Sequence, residues 1–346
     1  MQALLSHEQS PPLGVPFRFF LTAPFFGMLA GVLLVWSGPD SFASRWTPAV
    51  LAMTHLITAG LMLQVMLGAM MQIMPVLLGA NVVRPLRVAI IVHVAITLGA
   101  LFLVLAFLSF DPLYFKFAAV LFGLGVGYFV VSAARALYGI PATNPTVGGL
   151  RLALFGLSVT VGLGLLMTGS LGWSLDLPLM QLADIHLGWG FVVWTTVLLA
   201  AVAYVVVPMF QLTPPFPDWF GRWFSSLTLV VVLLWTLAEF SGINLVPVVF
   251  AVAVVAVVAF FAAMTLNIQR QTKRPHFDAT QHYWRVAMLS VLAAGIVWLG
   301  AQVFPVFAEW QGWPLLCGVL LLFGGFMSVI IGMLYKIVPF LIWLHL

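Results

Sequence analysis

Apolar residues in this chain come in blocks of about twenty or more, separated by short stretches that hold most of the charges and turn formers. The blocks fall at 16–37, 47–78, 86–109, 114–138, 149–171, 179–209, 223–241, 244–267, 282–304 and 314–344. None shows the alternating ten-residue pattern of a membrane strand. A bilayer core takes about twenty helical residues to cross and offers backbone groups no partners, so the pattern predicts an all-α, polytopic transmembrane bundle of about ten spans. The seventh and eighth spans are separated only by "SGIN". Connections are short, the longest being "QLTPPFPDWFGRW" and "NIQRQTKRPHFDATQH", so residues 1–346 are expected to form a single integral membrane domain. The opening "MQALLSHEQSPPLGVPF" lacks the basic-then-apolar layout of a cleaved signal peptide, so the first span is expected in the mature chain.

Composition supports the same class. The chain is 63% hydrophobic and 6% charged, whereas soluble domains carry roughly a quarter of their residues as charges. Charge then sets the expected topology. Arg18, Arg84, Arg87, Arg135, Arg151, Arg222, Arg270, Lys273, Arg274, Arg285 and Lys336 fall on the side of the N-terminus, and only Arg45 and Lys116 fall on the other. Basic residues of short loops stay in the cytoplasm, so both termini are expected there. The net charge of +4 therefore reports topology; the implied partner is the lipid bilayer, not nucleic acid. The single cysteine, Cys317, excludes an internal disulfide, and no Cys/His spacing matches a structural zinc site. No phosphate-cradling glycine loop, nucleophile triad or paired-carboxylate pattern is visible; "FGLGVGY" at 122–128 reads as close helix contact.

A weak internal repeat is present. The second, sixth and tenth spans end "GAMMQIMP", "AVAYVVVP" and "IGMLYKIVP", each with a small residue seven positions before a proline. The pattern is consistent with three similar arcs of helices, or with the ordinary use of proline near helix ends.

Candidate chemistry centres on His55 and His186. Each lies about seven or eight residues into a span running inward from the outer face, which at 1.5 Å per residue puts both rings about 10–12 Å deep, where they can face a common space. A polar ring in a bilayer usually faces the bundle interior and is a functional candidate. Neutral imidazole ligates haem iron and copper; the alternative is a hydrogen bond that ties helices together. At a 3.6-residue period His55 shares a stripe with Ala59, Met62, Met66 and Met70, and His186 one with Trp189 or Gly190, Val193, Val197 and Tyr204. Thioether sulfur suits Cu(I), which makes Met62 and Met66 candidate metal ligands, although methionine also fills irregular apolar gaps. His93, His282 and His345 fall toward the cytoplasmic side, His276 in the basic loop and His7 in the tail. Asp184 is a candidate acceptor for a ring N–H, Glu239 a candidate proton-path carboxylate, and Cys317 the counterpart of the histidines in the tenth span. Lys336 is expected to snorkel to the inner surface, and "QRQTKRPH" to mark topology and face anionic lipid.

The segments "THLITAGLMLQVMLGAMMQIMPVLLG" and "DIHLGWGFVVWTTVLLAAVAYVVVPMF" resemble those of membrane proteins related to the catalytic subunit of haem-copper oxidases, including the haem- and copper-containing NnrS family linked to nitric oxide stress. In the oxidases, histidines on the second, sixth and tenth helices bind haem and copper within a three-arc arrangement. The resemblance implies such an arrangement in a bacterial inner (plasma) membrane, with His55 and His186 as the cofactor-binding residues. It fails on the tenth span, which has no histidine in "PLLCGVLLLFGGFMSVIIGMLYKIVP", and after the sixth, where "QLTPPFPDWFGRW" has none either. An oxygen-reducing binuclear centre is therefore not expected. The implied function is a haem- or copper-binding membrane protein in electron transfer or gas and metal stress response, with a redox partner or complex subunits as partners. The alternatives are a transporter or permease for a small solute or copper, and a structural subunit of a larger membrane complex.

Overall fold

The computed structural model describes residues 9–141, 144–243 and 245–344, so His7 and His345 lie outside the described residues. Among the described residues ten helices are long and apolar enough to cross a membrane: α1 (Gly14–Ser37), α2 (Pro48–Leu78), α3 (Pro85–Ser109), α4 (Pro112–Leu137), α5 (Pro145–Trp173), α6 (Leu179–Gln211), α7 (Asp218–Ala238), α8 (Leu245–Gln269), α9 (Ala279–Val303) and α10 (Trp313–Leu344). These follow the apolar blocks of the sequence to within a few residues, and "SGIN" does separate two spans. Short helices at Pro39–Ala43 and Pro305–Ala308 sit in connections, and no strand occurs among the described residues.

The ends are set by local chemistry. Proline opens α2, α3, α4 and α5, where its missing N–H costs no hydrogen bond. The side chains of Thr47, Asp111 and Asp278 accept backbone N–H groups of Val50, Leu113 and Gln281 at 3.3, 2.8 and 2.9 Å. Gly38 and Gly79, both at φ +66°, stop α1 and α2 in backbone conformations that side chains disfavour.

Contacts divide the chain into two compact units. The first comprises residues 1–140 and 161–183; the second comprises 141–160 and 184–344. Two of its boundaries fall within helices, in α5 and in α6, and one in the connection between α4 and α5. Phe19, Met70, Met74, Phe115 and Phe129 are among the fully buried side chains of the first. Trp284, Phe220, Phe261, Val207 and Met288 belong to the core of the second.

The repeat suggested by the prolines extends to backbone geometry. α2, α6 and α10 each contain a π-helical segment, at Leu56–Met62, Trp189–Thr196 and Leu320–Met327. Each begins nineteen residues before the proline, that is before Pro75, Pro208 and Pro339. The wider turn leaves carbonyls that hydroxyls can reach five residues back: Thr195 donates to Gly190 O, Thr196 to Phe191 O and Ser328 to Phe323 O at 2.8, 2.8 and 3.0 Å.

The small residue seven before each proline is likewise a contact point for the preceding odd-numbered helix. A Cβ on Gly68 would lie 3.0 Å from Phe19 Cβ and 3.2 Å from Pro16 O. Thr146 Oγ1 donates to Ala201 O at 3.0 Å, and a Cβ on Gly149 would lie 2.6 Å from Ala201 Cβ. Thr280 Oγ1 donates to Gly332 O at 2.8 Å, and a Cβ on Gly332 would lie 2.6 Å from Tyr283 Cβ. In every case two residues three apart on the odd helix, one turn of it, meet the same point of the even one.

Replacing Gly332 by Val is therefore expected to destabilise the second unit by about 1–3 kcal/mol through overpacking against the Tyr283 stem. Gly318 on the same helix has nothing within 4 Å of its Cβ position, so Gly318→Ala should leave the thermal unfolding midpoint in detergent unchanged.

Candidate functional site

His55 is the eighth residue of α2 and His186 the eighth of α6, so each ring stands the same number of residues inside its span. In the first unit His55 Nδ1 lies 2.8 Å from Leu51 O, one helical turn back. A carbonyl oxygen only accepts, so Nδ1 carries the proton and the lone pair falls on Nε2. Among the described residues His55 makes no second side-chain hydrogen bond. The ring packs on Phe107 of α3 at 5.0 Å between centroids and 34° between planes, and Phe107 in turn meets Phe115 edge-on at 5.6 Å.

In the second unit His186 Nδ1 lies 2.9 Å from Thr160 O of α5, so on this ring too Nδ1 carries a proton. The α5–α6 contact that offers this carbonyl is very close. A Cβ on Gly156 would lie 2.8 Å from Trp194 N, so only glycine admits the two backbones at that distance. Beside the ring, Trp189 Nε1 donates to Thr236 Oγ1 of α7 at 3.0 Å and Trp189 meets Phe155 edge-on. The Trp235 ring lies over Gly188. Just beyond α7, burial raises the Glu239 carboxyl above its ordinary pKa, the Asp184 charge raises it further, and a hydrogen bond with Trp235 acts the other way.

His93 shows the tie role instead: Thr22 Oγ1 pairs with its Nε2 at 2.8 Å, and Phe19 packs edge-on to the ring, joining α1 to α3. Met62 and Met66 are buried. The regular stripe expected to run from His55 through Met62 to Met66 is interrupted, because Leu56–Met62 is π-helical and rotates everything beyond it relative to His55. Cys317 occupies the α10 position equivalent to His186, twenty-two residues before its proline, and its Sγ donates to Ala294 O at 3.6 Å. Among the described residues no group of three or more His, Cys, Asp or Glu is placed to hold a metal ion.

A polar layer that helical periodicity did not reveal closes the basic end of the second unit. The carbonyls ending α6 are capped by the α8–α9 loop: Arg274 Nη2 donates to Phe210 O at 2.8 Å, Lys273 N to Leu212 O at 3.0 Å, and Thr272 Oγ1 donates to Gln211 O. The loop read from sequence as a topology marker thus satisfies a helix C-terminus. Gln269 Nε2 donates to Gln211 Oε1 at 2.8 Å. Both amide atoms of Gln281 and the Trp284 indole nitrogen are buried without a partner among the described residues, the kind of group ordered water satisfies. Asp278 Oδ2 binds Lys336 Nζ at 2.8 Å and Arg274 Nη1 at 3.0 Å, so Lys336 is ion-paired rather than simply reaching for the surface. Burial pushes the Asp278 carboxyl upward, but the Lys336 hydrogen bond, the Gln281 N–H and the two cations outweigh it and hold it below the usual range.

No family model, no curated protein and no solved structure matches this chain.

Asp278→Ala, which removes the cap of α9 and both ion pairs, is expected to cost about 1–3 kcal/mol, with Asp278→Asn costing less because an amide oxygen still caps. A depressed folded-state pKa stabilises above the ordinary aspartate value, about 3.9, and that contribution disappears as pH falls through the lower folded value. The gap in thermal midpoint between wild type and Asp278→Asn should accordingly close as the pH is lowered below about 4.

Proposed function

We propose that this chain is a haem-binding integral membrane protein in which His55 and His186 each serve as an iron-ligating imidazole. Its role is electron transfer or response to a reactive gas, not reduction of oxygen. The observation that carries the reading is the shared hydrogen-bond state of the rings. Both donate Nδ1–H to a main-chain carbonyl, at 2.8 and 2.9 Å, which fixes the ring plane and makes Nε2 the nitrogen through which each ring would ligate a metal. Phe107 beside His55 and, separately, Trp189 near His186 are the kind of aromatic neighbour that suits a porphyrin wall at either ring.

Haem is favoured over copper by the scarcity of ligands. A protein-held copper ion draws its ligands from side chains, and among the described residues no group of three or more His, Cys, Asp or Glu is gathered. A porphyrin supplies its own four nitrogens and asks the protein for one or two. When bound, haem would supply one-electron chemistry and an iron that takes diatomic gases. The chain's own residues would hold the rings, exclude water and position carboxylates: Asp184 two residues from His186, and Glu239 close enough to feel the Asp184 charge. The basic residues support cytoplasmic termini, and a bacterial inner membrane is the setting that the resemblance implies.

Protein purified from haem-replete membranes should show a Soret band and stoichiometric iron. His55→Ala and His186→Ala should each lose or shift that band while remaining monodisperse and helical, and added imidazole should partly restore it. A colourless preparation without iron, or copper in its place, would overturn the assignment.

A further inference from the structure

At the basic end of the first unit, an open groove of about 610 Å³ runs beside the start of α3. Its floor is apolar, formed by Leu86, Ile90 and Ile91, each between 43% and 45% exposed. Its rim carries Arg84 and Arg87. Arg18 of α1 stands next to it, since the Gly14 Cβ position lies 3.8 Å from Leu86 Cδ1 and 4.0 Å from Arg18 Nη2. The apolar floor continues along the outward face of α3 through Val94, Leu98, Leu101 and Leu105, all exposed.

The charges at this end are unbalanced. Arg84 is the N-cap of α3 and Arg87 lies in its first turn, so both cations sit at the positive end of a helix that has no acidic residue in that turn and no side-chain cap. The described acids of the first unit, Asp40, Asp111 and Asp176, all lie at the opposite ends of its helices. Arg84 also holds a left-handed backbone at φ +52°, which is uncommon outside glycine.

We propose that this groove is a binding site for an anionic phospholipid. The phosphate lies between Arg84, Arg87 and Arg18 at the start of α3, and an acyl chain follows Leu86, Ile90 and Ile91 onto the outward face of that helix. A phosphodiester neutralises the clustered guanidiniums and the helix end together, which no side chain of the described unit does. The chain requirement separates a lipid from a free anion: the floor offers inorganic phosphate nothing, but matches a hydrocarbon tail.

Native mass spectrometry of the full chain, released from nanodiscs of mixed phosphatidylglycerol and phosphatidylcholine, tests this. Wild type should retain phosphatidylglycerol in preference to phosphatidylcholine, and excess inorganic phosphate should not displace it. At the usual strength of a basic residue near a membrane surface, Arg84→Gln with Arg87→Gln should reduce that preference about thirtyfold. Arg84→Lys with Arg87→Lys should keep most of it. Arg135→Gln removes a basic residue that does not line the groove and should leave the preference unchanged. Equal retention of the two lipids by wild type would overturn the proposal without any variant. So would an Arg135→Gln effect as large as that of the double glutamine variant, or displacement by phosphate alone.

Discussion

Hydrocarbon offers no hydrogen-bond partner, and most features of this chain follow from that one constraint. Each of the ten spans satisfies its backbone internally. Where π-helical turns interrupt the regular ladder of α6 and α10, threonine and serine hydroxyls take carbonyls that the wider turn leaves within reach. Where α6 ends, three consecutive residues of the α8–α9 loop cap its last carbonyls. The two histidines obey the same rule, each donating one ring proton to a main-chain oxygen. What sets them apart from His93 is the ring nitrogen used: His93 pairs with the Thr22 hydroxyl through Nε2, whereas His55 and His186 meet main-chain carbonyls through Nδ1.

The spans were legible because lipid selects strongly for apolar runs about twenty residues long, and proline and glycine mark their ends. The repeat was legible only at its prolines. Its contact points look different in each copy: Pro16 and Phe19 in the first, Thr146 and Gly149 in the second, Thr280 and Tyr283 in the third. They perform one packing task with unlike chemistry, so a search for identical residues passes over them. The π segments escaped for a related reason, since a stripe drawn at 3.6 residues assumes the regularity that Leu56–Met62 breaks. A glycine in each segment, with Thr195, Thr196 and Ser328 close to the end of two of them, was the available signal.

The polar layer beneath α6 was hidden because no periodicity predicts it. Gln211, Gln269 and Gln281 lie within a residue or two of helix ends, where glutamine usually reads as solvated, yet all are buried. Asp278 combines an N-cap with two ion pairs, and only the fold brings Lys336 to it. The candidate ligands were easier to find, because an imidazole eight residues into a span stands out against apolar neighbours. Their protonation state was not visible in the sequence, since it depends on which carbonyl each ring meets.

That protonation state is where the account is most exposed. Solid-state NMR of the cofactor-free protein in lipid, with ¹⁵N-labelled histidine and each ring assigned by single substitution, reads it directly. Both His55 and His186 should show a protonated Nδ1 and a bare Nε2 at neutral pH. A protonated Nε2 on either ring would mean that the nitrogen assigned to iron is already committed elsewhere, and would contradict the ligand assignment.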